Sequence, residues 1–120
     1  MKSESLALTD AQSAAVAVAP RVTLANIEGA IASTYYMTGH DAALASSRLS
    51  IVPEHELKTL TICLLVMKNG FTVIGKAAPA SPENFNADLG RKYAYEDGVR
   101  QIWPLMGFAL RDRLAAGVTY

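Results

Sequence analysis

The sequence predicts an α+β fold, in which a two-stranded antiparallel β-hairpin packs against an N-terminal helix and a long C-terminal helix kinked by proline. Two observations predict it. Apolar segments flank Asn69-Gly70, a pair typical of tight hairpin turns. Ser81-Pro82-Glu83 then opens a segment with the spacing of an amphipathic helix. Because a two-stranded hairpin is marginal in water by itself, we expect homo-oligomerisation to complete the fold.

Composition narrows the class of protein. A chain of 120 residues suits one domain, and 51% hydrophobic with 18% charged residues is typical of a globular protein. Lys+Arg and Asp+Glu are equal at 11 each, so net charge gives no general attraction to nucleic acid or to an anionic membrane. The single cysteine cannot form an internal disulfide, and no apolar run is long enough to span a bilayer. We therefore expect a cytoplasmic protein without a membrane partner.

The N-terminal region differs from the rest of the chain. Residues 1–20 are rich in alanine and serine and end at Pro20. They are predicted to be a mobile arm, with two alternatives for its state: a helix at 10–18, or order imposed by a partner. Residues 21–120 are predicted to form a single α+β domain.

The first helix of that domain is predicted at 24–37. Thr23 is a good N-cap, and Gly39 is a plausible stop. The apolar positions spaced three and four apart are Leu24, Ile27, Ile31 and Tyr35. After it, residues 40–57 are expected to hold a short helix near 41–47 and a break at Pro53.

The clearest predicted strand spans 58–67, and the residues of both its faces are largely apolar, so both faces are expected to be covered. Asn69-Gly70 predicts a type I′ turn, since both central positions of that turn need positive φ. The return strand is predicted at 71–74. Gly75 weakens it, which favours an edge strand or an early end.

The C-terminal helix is predicted to begin at Ser81-Pro82 and to run from 82 to 103. Pro104 lacks a backbone donor and clashes with the preceding turn, so a kink or a restart is expected there. Beyond it, "LMGFALRDRLAAG" continues as helix to about residue 115.

The second half of the chain carries an ordered series of motifs: Cys63 in a strand, Lys68-Asn69-Gly70-Phe71, Ser81-Pro82-Glu83-Asn84-Phe85, Gly90-Arg91-Lys92 and Ile102-Trp103-Pro104-Leu105. A weaker match lies earlier, at "ASTYYMTGHDA". With these motifs the chain resembles, over roughly residues 22–114, a family of small accessory phage proteins found in phage N4 and Sf6 relatives. Met106, Phe108 and Asn86 depart from the family pattern, which has an acidic residue, tyrosine and aspartate there.

This resemblance implies a phage or prophage origin and an accessory role. It brings no established catalytic chemistry, so no catalytic residue is carried over, and we expect a protein that is not an enzyme and needs no cofactor. The residues agree. Cys63 lies between apolar strand residues, which predicts a buried, inert thiol. Neither His40-Asp41 nor the acidic segment around His55 has the spacing of a zinc motif, so no metal is expected.

One stretch has the residue types of a ligand site. "GRKYAYEDGVRQIW" interleaves cations with aromatic rings. Stacking on aromatic rings contributes roughly 1–3 kcal/mol per base, and arginine binds phosphate through a planar fork, so the pattern suits a nucleotide. The candidate ligand-binding residues are Arg91, Lys92, Tyr95, Arg100 and Lys68.

The same stretch also fits an ordinary helix. Asp88–Lys92 and Glu96–Arg100 are spaced as i,i+4 ion pairs, each worth about 0.2–0.5 kcal/mol. The aromatic residues on the predicted core face are Tyr93 and Trp103.

Two glycines in this stretch need a reason. Gly90 and Gly98 each cost about 1 kcal/mol in a helix relative to alanine. Close approach of a second backbone or of a ligand would justify them.

Two functions of different classes follow. The first is a non-catalytic phage accessory protein, with a counter-defence role, that sequesters a small nucleotide signal made by the host. The second is a protein-binding module that inhibits or redirects a host protein, using strand addition at a free sheet edge.

Overall fold

The computed structural model describes residues 3–47 and 51–117, which form a sheet with helices around it. In chain order the elements are α1 (Glu4–Val16), α2 (Leu24–Ala30), β1 (Ile31–Thr38), α3 (Gly39–Ser46), β2 (Thr61–Met67), β3 (Thr72–Ala77) and α4 (Ala87–Ala115), with 3-10 turns at His55–Thr59 and Pro82–Asn84. The sheet is antiparallel in the order β1-β2-β3, and α4 lies across one face. The predicted α+β class is confirmed. Residues 1–2 of the predicted arm and residues 48–50 and 118–120 of the predicted domain lie outside the described residues.

The predicted hairpin is present as β2 and β3, but β1 adds a third strand, so the prediction of a two-stranded sheet is wrong. The predicted helix at 24–37 ends at Ala30, and its second half is β1. Thr23 caps the short helix as predicted, in a capping box with Asn26. Ile31 and Tyr35 happen to have helical spacing, but "IASTYYMT" is rich in β-branched and aromatic residues, which favour a strand with a neighbour to pair with.

The region before β2 also differs from its prediction. Gly39 does not stop a helix but begins α3, which confirms a short helix near 41–47. Gly39 is buried, and a Cβ there would lie 2.9 Å from the Leu60 side chain. A small residue therefore fits where this helix begins beside Leu60, just before β2.

The turn between β2 and β3 is not type I′. Gly70 has φ 90°, whereas Asn69 does not have positive φ. The Gly70 N–H donates to the Met67 carbonyl at 2.9 Å, and the Met67 N–H donates to the Phe71 carbonyl at 2.8 Å. A turn followed by one left-handed glycine is the pattern of a three-residue hairpin loop with a bulge. The prediction of an edge strand at β3 is confirmed, and the strand does not end early but continues to Ala77.

Glycines bring α4 close to the sheet. A Cβ on Gly75 would clash with the Ala94 carbonyl oxygen and lie 2.7 Å from the Gly98 nitrogen. A Cβ on Gly98 would lie 2.7 Å from the Leu65 side chain, and one on Gly90 would clash with the Thr61 hydroxyl. Packing against the sheet, including a second backbone at Gly75, therefore explains Gly90 and Gly98 within α4.

Helix α4 begins later than predicted. Pro82–Asn84 is a separate 3-10 turn, and the Ser81 side chain makes no capping hydrogen bond. Asn86 is the N-cap of α4, and its side chain accepts from the Leu89 N–H at 3.0 Å. The helix passes through Pro104 without a restart. Its 29 residues span about 43 Å, so it extends well beyond the sheet.

The N-terminal region carries a helix that starts before residue 10. Helix α1 is fixed at its first turn, where Leu6 is buried in the core and Ser3 donates a hydrogen bond to the buried carboxylate of Glu96. Arg21 bonds Asp10 at 2.8 Å, and this bond lowers the pKa of Asp10. Residues 11–20 are exposed. That they move as an arm stays a prediction.

The chain is elongated and thin, with extents of 55 × 29 × 18 Å. Its radius of gyration is 17.3 Å, against about 14 Å for a compact domain of this length. Its accessible surface is 8058 Å², which exceeds the roughly 6,300 Å² typical of a compact monomer of this mass by roughly 1,800 Å². The exposed residues 11–20 and the part of α4 beyond the sheet contribute to this excess.

Candidate functional site

The sheet face opposite α4 is an apolar surface, called here the outer face. The register places Tyr35, Leu64 and Ile74 side by side on it. Tyr35 is 56% exposed and Ile74 is 59% exposed. The remaining members of the outer face are Ser33, Met37, Ile62, Val66, Thr72 and Lys76. The expectation that both faces are covered is wrong for the single chain, since this one is open to solvent.

The predicted ligand-binding residues do not surround one recess in this chain. Arg91 and Arg100 are nine residues apart in one helix, which places them on opposite sides of it. The Arg100 guanidinium donates to the Ser5 hydroxyl at 2.7 Å, so it faces α1. Arg91 forms an ion pair with Asp88.

The other three predicted residues are also dispersed. Tyr95 is buried in the core, and burial raises the pKa of its phenol. Lys92 is half-buried, one position after Arg91. Lys68 is exposed at the turn between β2 and β3. The ligand-binding role of all five residues stays a prediction.

The predicted ion pairs along α4 are replaced by other contacts. Asp88 pairs with Arg91 instead of Lys92, and Glu96 accepts from Ser3. Trp103 lies against the core as predicted and donates to the Val22 carbonyl at 3.1 Å, whereas Tyr93 is exposed.

Arg91 does line a recess, together with residues of β1 and of the turn before α4. This Arg91 recess has a volume of about 160 Å³, and Phe85 forms one of its walls. A second recess of about 170 Å³ lies against the same phenyl ring and is bounded by Tyr93. Phe85 is half-buried between the two. An aromatic ring beside an arginine can stack on a base while the cation binds phosphate.

A larger apolar groove lies where α4 extends past the sheet. Its volume is about 440 Å³. Phe71 and Leu105, each about half exposed, stand on its walls, and Lys68 borders it. The groove joins the turn of the hairpin to the C-terminal half of α4, and its lining is suited to an apolar side chain or helix.

Cys63 is buried, as predicted. Burial raises the pKa of its thiol to about 11, although a hydrogen bond with Tyr36 opposes the shift. Burial also raises the pKa of Tyr36 to about 12. The thiol is therefore protonated at neutral pH, which is the unreactive form.

Within residues 3–47 and 51–117, no three side chains of His, Cys, Asp or Glu are grouped so that they could hold a metal ion. Asp41 instead caps α3, and its hydrogen bonds with Thr38 lower the pKa of the Asp41 carboxyl. None of the helices in this part of the chain combines the length and the hydropathy that a membrane span requires.

Comparison with known proteins gives one match. Residues 22–114 match the model of the phage protein (N4 Gp49/phage Sf6 gene 66) family. The chain belongs to this family. No curated protein and no solved structure matches it. Membership in the N4 Gp49/phage Sf6 gene 66 family confirms the resemblance read from the sequence.

The matched range covers the whole sheet, Phe85 and Arg91, and most of α4, but not α1. Sequence reasoning identified Arg91 and missed Phe85 and Tyr36 as its neighbours. The only sequence signal for Phe85 was its place in the family motif "SPENF". Nothing in the sequence indicated that β1 would bring Tyr36 to the start of α4.

Proposed function

We propose that this phage-family protein is a non-catalytic accessory protein that acts by binding in the cytoplasm of the bacterial host, and that it sequesters a small nucleotide signal. The observation that carries the proposal is the pair of recesses on either side of Phe85, one of them lined by Arg91. Such a protein needs affinity and abundance but no catalytic group.

The side chains around Phe85 have the chemistry that a nucleotide requires. Phe85 offers a ring for stacking, and Arg91 offers a fixed positive charge. Arg91 is already paired with Asp88, but the Asp88 side chain is 89% exposed. An exposed ion pair of this kind contributes at most about 1 kcal/mol, so a phosphate group can displace Asp88 at low cost.

The size of the two recesses favours a shared site. Each is smaller than the roughly 300–1,000 Å³ of a typical small-molecule pocket. Together they reach the lower end of that range. A ligand that uses both would pass over Phe85, and a second copy of the chain would enclose it.

Self-association is the second part of the proposal. The outer face carries apolar side chains along all three strands, with Leu64 at its centre. Tyr35 and Ile74, on either side of Leu64, are 56% and 59% exposed, so their burial against another copy would be favourable. We therefore propose a homo-oligomer in which other copies bury the outer face.

Calorimetric titration tests the nucleotide proposal directly. Wild-type protein is titrated with cyclic nucleotides and with ADP-ribose-type nucleotides. One class is expected to bind, and at 100 times its Kd to stabilise the fold by about 2.7 kcal/mol. Arg91→Ala should weaken binding at least tenfold, whereas Arg111→Ala, at an exposed position near the other end of α4, should leave it unchanged. No heat and an unchanged Tm with every nucleotide would refute the proposal.

The apolar groove favours a second function, inhibition or redirection of a host protein. Phe71 and Leu105 are exposed on its walls, where an amphipathic helix could bury them. Affinity purification from host lysate, with Leu105→Asp as control, separates the two functions. A stoichiometric host protein retained by wild type and lost by the variant supports this second function. A co-purifying nucleotide supports the first.

A further inference from the structure

The two edges of the sheet differ in how their backbone groups are satisfied. At the β3 edge, side chains of α4 cover the strand. The Lys76 N–H donates to the Asp97 carboxylate at 3.0 Å, and Gln101 donates to the Ile74 carbonyl at 2.8 Å. These contacts occupy the Lys76 N–H and the Ile74 carbonyl, two of the groups with which another strand would pair, so the β3 edge is partly blocked.

The β1 edge is open over its central residues. The Gly39 N–H donates to the Leu60 carbonyl at 2.8 Å, so odd-numbered residues of β1 face β2 and even-numbered residues face outward. The outward Thr38 N–H is capped by Asp41 at 3.0 Å. For Thr34 and Tyr36, the described residues supply no partner to the outward N–H and carbonyl groups.

The sequence of β1 lacks the usual protection of a free edge. Exposed edge strands usually carry proline, or lysine or another charged residue, which discourages pairing with another strand. "IASTYYMT" has no charged residue and no proline, whereas β3 carries Lys76. Beside the β1 edge lies a recess of about 420 Å³ bounded by Glu28, Thr34 and Tyr95. A strand added at this edge would have backbone partners and room for its side chains.

We propose that β1 pairs antiparallel with β1 of a second copy of this chain, giving a continuous six-stranded sheet. Tyr35 lies on the two-fold axis, so that Thr34 of each copy exchanges hydrogen bonds with Tyr36 of the other. Because β1 is uncharged, the pair brings no like charges together, and its aromatic and β-branched side chains are favourable cross-strand neighbours. The inference rests on the proposed self-association but not on the nucleotide.

A second copy is the occupant that the register favours, because the outward groups of Thr34 and Tyr36 are complementary to the same groups of another β1 about a two-fold axis. In a two-fold contact, the same strand also supplies the hydrogen-bonding groups on both sides of the interface. Capture of an extended host peptide at the same edge is the alternative outcome of the test.

Proline substitution tests the edge without removing a hydrogen bond inside the chain. Thr34→Pro removes an outward N–H, and Thr72→Pro does the same at the β3 edge. Sedimentation equilibrium should show that Thr34→Pro halves the mass of the wild-type assembly, with the far-UV circular dichroism unchanged. Thr72→Pro should keep the wild-type mass. A Thr34→Pro variant that keeps the wild-type mass would overturn the proposal.

Cross-linking tests the register and does not require a substitution in the backbone. Tyr35→Cys places two thiols opposite each other across the axis, about 4.5–5.5 Å apart at Cβ. Leu8→Cys is the matched control, with nearly equal exposure on α1 rather than on the sheet. Mild oxidation should link Tyr35→Cys into covalent dimers at least tenfold faster than Leu8→Cys. Equal rates would contradict the proposed pairing.

The outcomes separate this inference from the proposals on which it stands. A monomeric wild type overturns self-association and the edge pairing together, while the calorimetric titration still decides nucleotide binding. A wild-type oligomer that Thr34→Pro leaves intact overturns the edge alone. If the wild type is monomeric and binds a host peptide that the Thr34→Pro variant does not bind, the edge is assigned to a host protein instead.

Discussion

The two faces of β2 are nearly equal in hydrophobicity but differ in what covers them. The face toward α4 holds Cys63 and Leu65, both fully buried. The outer face holds Ile62, Leu64 and Val66, all half-buried under their neighbours in the sheet. Apolar side chains on both faces of a strand indicate that both faces become buried in the native state. They do not indicate whether the same chain or another molecule buries each face.

The covered face owes its packing to glycines. Gly75 and Gly98 allow the backbones of β3 and α4 to meet, and this contact leaves no room for a side chain. No comparable contact fixes the outer face within the described residues. The first face is thus completed by folding, and we propose that the second is completed by assembly.

The largest expected effect is at the glycine contact. Gly75→Ala would place a methyl group against the Ala94 carbonyl and the Gly98 nitrogen, so one of the two backbones must move. We expect a loss of about 4 kcal/mol or more in the free energy of unfolding, measured by urea denaturation. A loss below about 1 kcal/mol would show that the contact is loose.

Gly107→Ala is the matched control for this change. A Cβ at this position of α4 would meet no atom within 4 Å. Alanine should therefore stabilise the helix by up to about 1 kcal/mol. Opposite signs for the same substitution at Gly75 and Gly107 would locate the effect in the packing rather than in the backbone.

The two faces can be compared with one substitution at adjacent residues. Leu65→Ala should cost about 2–4 kcal/mol at every protein concentration, because it opens a cavity in the core. Leu64→Ala should cost less than about 1.5 kcal/mol in dilute protein. Its deficit should grow with concentration if the outer face is an interface. Equal, concentration-independent losses would mean that the faces do not differ as described.

The buried thiol predicts a loss of stability in alkali. The pKa of Cys63 is about 9 when exposed and about 11 in the fold, so its contribution is full below pH 9. From pH 9 to 11 the unfolded chain releases the proton first, and the fold should lose up to about 2 kcal/mol. The raised pKa of Tyr36 extends this loss toward pH 12. Urea denaturation of Cys63→Ala should show a shallower pH dependence, and an unchanged slope would refute this cause.

The smallest expected effect is at Arg91. Its partner Asp88 is almost fully exposed, so the pair stabilises the fold by at most about 1 kcal/mol. Arg91→Ala should therefore shift the Tm by only a few degrees while it weakens nucleotide binding. A loss of several kcal/mol would make Arg91 a structural residue and would remove it from the proposed site.

Local patterns in the sequence predicted the local structure well. The alternation in β2, a turn at Gly70 and the continuation of α4 to Ala115 all follow from adjacent residues. The strand β1 was missed because Ile31 and Tyr35 have helical spacing, and a strand depends on a partner strand that lies 23 to 36 residues away in the chain. The neighbours of Arg91 were missed for the same reason, since packing alone brings Phe85 and Tyr36 beside it.

Sedimentation equilibrium of the wild-type protein at micromolar concentration tests the central claim most directly. If other copies complete the outer face and the β1 edge, the mass should be an even multiple of the 12.8 kDa chain. A mass of one chain, with cooperative unfolding that does not depend on protein concentration, would contradict the account, because the apolar outer face would then be stable in water without a cover.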